Sequence, residues 1–191
     1  MKIGLFFGSF NPVHSGHMVI ASYMAEYTDL QQVWMMVSPH NPFKDKLSLL
    51  QDYHRLDLVK AAIGDNRKLK ASDIEFKLPK PSYTVHTLAH LGEVYPQHQF
   101  ILIMGRDNLS SFHKWKDYEQ ILQRHEIYVY PRVHAEKSDL ENHASVKFID
   151  APLMEISSSF IREAIRQQKD VRYMMPERVW LSIEEKSFYR R

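Results

Sequence analysis

The chain has 191 residues, 44% of them hydrophobic and 25% charged, a balance that fits one soluble globular domain spanning 1–191. It contains no Cys, which excludes disulfides, thiolate metal sites and cysteine nucleophiles. Its 25 basic and 23 acidic residues leave a net charge of +2, too even for the basic stripe of a nucleic-acid groove, and no apolar run reaches bilayer length.

The apolar run from Ile3 to Phe7 predicts a first strand, Lys2–Phe7, and the stretch His17–Thr28 predicts a helix. A second strand is expected at Gln32–Ser38. The polar connection His40–Leu50 comes next, longer than most in compact domains and so a candidate substrate loop. Further along come helix Asp52–Ala62, strand Leu69–Phe76, helix Thr84–Val94, strand Gln99–Met104 and helix Asp117–Arg124. Strands Glu126–Tyr130 and Val146–Ile149 and helices Ser158–Gln168 and Glu177–Ser187 complete the set. The runs Val33–Val37 and Phe100–Met104 are continuously apolar, as in strands covered on both faces. With the strand–helix alternation, this predicts an α/β fold: a Rossmann-like, doubly wound parallel sheet with helices on both faces. Tyr23, Tyr27 and Trp34 are expected between helix and sheet, and Lys137–Glu141 on an exposed helix surface.

The stretch Gly8-Ser9-Phe10-Asn11-Pro12-Val13-His14-Ser15-Gly16-His17 sits where the first strand hands over to the first helix. Unpaired N–H groups and the helix dipole make that junction an anion site. Two histidines three apart suit phosphate; a metal site or simple helix capping are the alternatives, though no further ligand flanks the loop. A second candidate is Ile156-Ser157-Ser158-Ser159-Phe160-Ile161-Arg162. Three serines can merely cap a helix, but Arg162 falls in the expected first turn, where a cation opposes the dipole. A bound anion would remove that conflict. His86 and His90 are spaced for a metal yet lack a third ligand.

The first stretch resembles the G-x-F-x-P-x-H-x-G-H signature of nucleotidyltransferases, and the second their I-S-S-T-x-I-R signature, with Ser159 where Thr is usual. Ser82-Tyr83-Thr84-Val85-His86-Thr87-Leu88, Gly105-Arg106-Asp107-Asn108-Leu109 with Phe112 and Trp115 after it, and Val129-Tyr130-Pro131-Arg132 narrow the resemblance to bacterial nicotinate-nucleotide adenylyltransferases. The departures are Pro39-His40-Asn41-Pro42-Phe43-Lys44 in place of P-P-H-K, and the bulky Arg106 beside Gly105.

The resemblance implies transfer of AMP from ATP to the 5′-phosphate of nicotinate mononucleotide, releasing pyrophosphate. It implies His17, His14 and Arg162 as catalytic groups, with Gly8, Ser9, Phe10, Gly16, Arg132, Ser157 and Ser159 joining them around ATP. Lys44, Tyr83, Thr84, Gly105, Asp107 and Trp115 fall at the mononucleotide, with Trp115 stacked on the pyridine ring. Tyr83 and Thr84 stay open to a second reading as a plain helix start, Trp115 as a core tryptophan and Asp107 as a cap of its own turn. Mg²⁺ is expected to travel with ATP, without dedicated metal-binding residues. The expected partners are the two substrates, in the cytoplasm, with no nucleic acid or membrane; a homo-oligomer stays open. Rival readings are a sister transferase acting on nicotinamide mononucleotide or phosphopantetheine, and a silent nucleotide-binding regulator.

Overall fold

In a computed structural model, residues 1–39 and 49–190 are described. The first strand, β1 (Lys2–Gly8), runs into helix α1 (Ser15–Tyr27), and β2 (Gln32–Val37) is followed by α2 (Asp52–Ile63). Next come β3 (Leu69–Ser72), a 3-10 turn at Ile74–Lys77 and α3 (Thr84–Val94). The second half consists of β4 (Gln99–Gly105), α4 (Arg106–Ser110), α5 (Tyr118–Arg124), β5 (Ile127–Tyr130), β6 (Val146–Phe148), α6 (Ser158–Arg166) and α7 (Glu177–Glu185).

The six strands form one sheet in the order β3-β2-β1-β4-β5-β6, every neighbouring pair parallel. This is the doubly wound arrangement expected from the sequence. Strand alternation divides the apolar side chains between two cores. Phe6, Val33, Met35, Val37, Ile101 and Ile103 face α1, α2, α6 and α7, whose buried positions include Ile20, Met24, Leu58, Val59, Ile161, Ile165, Val179 and Ile183. Ile3, Leu5, Trp34, Met36, Leu102 and Met104 face the other way, onto Leu88, Leu91, Leu109 and Ile121 of α3, α4 and α5. A strand buried on both faces has no solvent side, which is why these runs read as continuous apolar stretches.

Three expectations need correction. The strand expected at Leu69–Phe76 ends at Ser72, because the chain turns into a 3-10 helix that carries Glu75 inward, leaving that residue 2% exposed. Trp34 lies on the sheet face away from α1, packed against Tyr95 and Phe100, while Tyr27 is 73% exposed and stacks on Tyr23. Glu141 sits in a 3-10 turn (Asp139–Asn142), where its carboxylate accepts from Arg106. Among the described residues no helix is long and apolar enough to cross a membrane.

The order reverses direction at β1 and β4. The chain leaving β1 turns to one face and the chain leaving β4 to the other, so a crevice opens between their carboxyl ends, the usual ligand position in such sheets.

Candidate active site

Residues 8–17 make one wall of that crevice. A Cβ on Gly8 would lie 2.9 Å from the ring of Phe10, so only glycine lets that ring tuck beneath the loop. Phe10 is 1% exposed, has a φ of 45° and meets the His17 ring edge-on at 5.0 Å between centroids. His14 occupies the N-cap position of α1. Its backbone N–H donates to His17 Nδ1 at 3.2 Å, and the two imidazoles stack at 3.7 Å. With Nδ1 accepting, the proton of neutral His17 resides on Nε2. A Cβ on Gly16 would stand 3.1 Å from His14 Cε1 and Nδ1, a close approach that the His14 ring would have to relieve by shifting a few tenths of an ångström.

Burial, with the charge of Arg132 adding to it, pushes the His14 pKa down to about 4. His14 is therefore neutral at pH 7 in this state. Among the described residues lining the cavity, Arg132 and Arg162 are the guanidinium groups. His14 Nδ1 is buried and has no hydrogen-bond partner among the described residues.

The opposite wall is the start of α6 and the chain after β5. Ser157 caps α6, its Oγ accepting from Phe160 N–H at 3.2 Å, which leaves its own O–H to donate. Ser158 Oγ donates to the Pro12 carbonyl at 2.9 Å and so ties the two walls together. Arg162 is the fifth residue of the helix that begins at Ser158, which puts it just past the first turn rather than within it. The dipole conflict expected from the sequence is correspondingly weaker. Arg162 instead declares itself through its contacts: Nη1 donates to the Asn11 carbonyl at 2.7 Å, Nη2 lies 3.4 Å from Ser159 Oγ, and the buried Nε–H finds no acceptor among the described residues. Arg132 donates to the Met154 carbonyl at 3.1 Å.

Between the walls lies a cavity of about 470 Å³. Ser9, His14, Gly16, His17, Arg132, Ser157, Ser159 and Arg162 line it, whereas Gly8 and the buried Phe10 do not. Asn11, Tyr130, Ile156 and Ser158, which belong to the motifs but have no individual role there, also line it, as does Met154, which lies outside them. Among the described residues no Asp or Glu lines the cavity, and no group of three or more His, Asp or Glu side chains gathers.

The remaining expected residues gather outside the cavity. Gly105 is buried at the end of β4, and Asp107, next but one, is 3.6 Å from Arg132 Nε, on the rim of the arginine wall. Tyr83 caps α3 and Thr84 begins it. Lys116 Nζ lies 4.8 Å from the centre of the Tyr83 ring, which makes the Trp115 segment a neighbour of that cap. Trp115 is half-buried, 5.1 Å from the Phe112 ring. Beneath α3, Thr87 Oγ1 donates to Glu75 at 2.7 Å; burial pushes this carboxyl above its ordinary range. Arg106 is turned away, its guanidinium on Glu141 at 2.8 and 2.9 Å, so its bulk leaves the crevice clear. Lys44 and His40 lie outside the described residues; of the expected substrate loop, Leu49 lines the cavity and Leu50 N–H donates to Asn11 Oδ1 at 3.2 Å.

Imidazoles, guanidinium groups and serine hydroxyls meeting at the carboxyl edge of a doubly wound sheet suit a polyphosphate, and the class they define is a nucleotide-binding α/β protein. Residues 5–164 match the cytidylyltransferase-like family. A probable nicotinate-nucleotide adenylyltransferase of Flavobacterium psychrophilum is 56% identical over the full length of both chains. One of Bacteroides thetaiotaomicron is 45% identical, over 97% of this chain and 92% of its own. The fold matches that of Plasmodium falciparum nicotinic acid mononucleotide adenylyltransferase complexed with NaAD, with a TM-score of 0.82 at 18% identity, covering 99% of this chain and 97% of the other. The chain belongs to the nicotinate-nucleotide adenylyltransferases, within the cytidylyltransferase-like family.

Proposed function

We infer that this protein is an adenylyltransferase that joins ATP to nicotinate mononucleotide, giving nicotinate adenine dinucleotide and pyrophosphate. The observation that carries this reading is the paired wall of the cavity: His14 and His17 on one side, Ser157, Ser159 and Arg162 on the other, tied by Ser158 to Pro12. An acceptor phosphate oxygen forms a bond to the α-phosphorus of ATP as the bond from that phosphorus to the β-phosphate bridge breaks. The acceptor is already an anion at neutral pH, so no general base is needed.

Catalysis then rests on positioning and on donors aimed at the charge that develops. His17 Nε2–H, its tautomer set by the bond at Nδ1, donates to a non-bridging oxygen of the α-phosphate. His14 holds the triphosphate beside it. Ser157, Ser159, Arg162 and Arg132 grip the β- and γ-phosphates and receive the leaving pyrophosphate. Mg²⁺ on the triphosphate supplies charge neutralisation. Asp107 serves the ribose hydroxyls at the rim, and Tyr83, Thr84, Gly105 and Trp115, with Lys44, form the pyridine end. One domain carries both ends, and the expected setting is the cytoplasm.

The test is pyrophosphate release from ATP and Mg²⁺ with nicotinate mononucleotide, nicotinamide mononucleotide and phosphopantetheine in parallel, with the product identified by chromatography. Turnover with the nicotinate acceptor alone is expected. Turnover with another acceptor only would remove the pyridine-end assignment, and ATP binding without turnover would favour the silent regulator.

A further inference from the structure

Arg55 is 0% exposed and outside the cavity, on the stripe of α2 that also carries Leu58 and Val59. Each of its five N–H donors has an acceptor. Nε donates to the Leu50 carbonyl at 3.0 Å, Nη1 to the carbonyls of Ser9 at 2.5 Å and Ser38 at 2.8 Å, and Nη2 to the Pro39 carbonyl at 3.4 Å and the Asp52 carboxylate at 2.6 Å. A guanidinium offers five donors in a rigid plane, so this set is complete. Four of the acceptors are backbone carbonyls, drawn from the loop after β1, the exit of β2 and the entry to α2.

The Ser9 carbonyl has special standing because it directly precedes a strained residue. Phe10 has a φ of 45°, a left-handed conformation that is costly for a bulky side chain. Strain of this kind persists where the surroundings over-determine it, and it gathers at working sites. Arg55 fixes the carbonyl before Phe10, and Arg162 fixes the Asn11 carbonyl after it. Asn11 Oδ1 accepts from Leu50 N–H and, at 2.8 Å, from the Tyr189 hydroxyl. The turn is therefore clamped on both sides of its strained residue, and His14, three residues beyond Asn11, caps α1.

We propose that Arg55 is a positioning residue of the transfer reaction, its guanidinium pinning the Ser9 carbonyl to the exit of β2 so that the Ser9–Asn11 turn presents His14 and His17 to the α-phosphate. The inference rests on the adenylyl-transfer reading, and an inactive wild-type protein would sink that reading, not the pin. The fork matters as well as the charge: a lysine brings a cation but only three donors from a single point, too few for the four carbonyls and the carboxylate.

The experiment is Arg55→Lys in the full chain, read by steady-state kinetics, urea unfolding and the ¹⁵N resonances of the His17 ring, identified by their loss in His17→Gln. In the folded variant kcat should fall by about tenfold or more, the cost of a small misplacement, while KM for either substrate stays within about threefold. The His17 resonances should move from an Nδ1 acceptor toward a tautomer mixture. If Arg55→Lys does not fold, Asp52→Asn keeps the guanidinium and removes its charged acceptor. That variant should lose about threefold in kcat with the same change at His17. Unchanged kcat in either folded variant overturns the proposal. So does a loss that tracks only the unfolded fraction with His17 unmoved.

Discussion

The two ends of the crevice are built differently. At the triphosphate end, buried or half-buried polar groups hold one another: Arg55 on Ser9, Arg162 on Asn11, Ser158 on Pro12, and Tyr189 on Asn11. Residues far apart in the chain close on three positions, 9, 11 and 12, of one loop. At the pyridine end, Tyr83 meets Lys116 and His86 through its ring, and Trp115 rests on Phe112. Thr87 on Glu75 gives that end its buried polar anchor among the described residues. Hydrogen bonds drawn from several distant segments fix geometry more narrowly than ring contacts do. In the proposed reaction, transition-state chemistry would be served by the rigid end and acceptor choice by the adaptable one.

The largest expected effect falls on the rigid end. His17→Ala removes the Nε2 donor at the α-phosphate and should lower kcat by about a hundredfold or more, with smaller changes in both KM values. Turnover near that of the wild type would break the comparison at its strongest point.

Next in size is Arg162→Ala. It deletes the cation whose Nε–H is buried without an acceptor among the described residues, and also the clamp on the Asn11 carbonyl. Loss of charged hydrogen bonds of this kind costs about 2 kcal/mol, or some thirtyfold in kcat/KM for ATP. Nicotinate mononucleotide binding, measured alone by calorimetry, should stay within about twofold. A shift in acceptor binding as large as that for ATP would mean the two ends are not separable.

A third expectation concerns pH. The ordinary histidine pKa of 6.5 falls to about 4 for His14 in the folded state, chiefly through burial. The unfolded chain therefore binds the extra proton between these values. Stability is fully present above pH 6.5 and is lost as pH falls toward 4, by about 2 kcal/mol at pH 5 relative to pH 7. Urea unfolding of wild type against His14→Gln isolates this share, since other groups titrate alike in both. Equal losses in the two proteins would show that His14 is not held neutral. Bound ATP should raise the His14 pKa and flatten the wild-type curve, because a phosphate favours the imidazolium.

How much of this could be read from the chain alone divides along the same line. The strands and long helices fall within a residue or two of where periodicity places them, because both faces of the sheet are covered and the runs are unbroken. Residues 106–110 escaped because one five-residue helix is too short to show a period. The β3 end was overrun because Ile74 and Phe76 alternate like a strand around Glu75. The histidine and serine walls were legible as consecutive motifs. Arg55 and Tyr189 were not, since their partners lie 46 and 178 positions away. One trace of Arg55 was present: a charged residue on the apolar stripe of α2, a local rule broken with no visible compensation.

The smallest of the expected effects probes the adaptable end. Trp115 is half-buried and adjoins Lys116, whose Nζ lies over the Tyr83 ring, so on the proposed reading Trp115→Ala should raise KM for nicotinate mononucleotide by about tenfold, the scale of one aromatic stack. KM for ATP should change by less than about twofold, since Trp115 does not line the triphosphate cavity. Trp115 also packs on Phe112, a fully buried ring, so the alanine variant loses core contact as well as a stacking face. Trp115→Phe separates the two effects by keeping an aromatic plane of smaller area. It should recover most of the acceptor affinity even if the melting temperature stays low. If Trp115→Ala instead lowers kcat and leaves both KM values alone, the tryptophan acts on the geometry of the transfer, and the adaptable end is part of the rigid one.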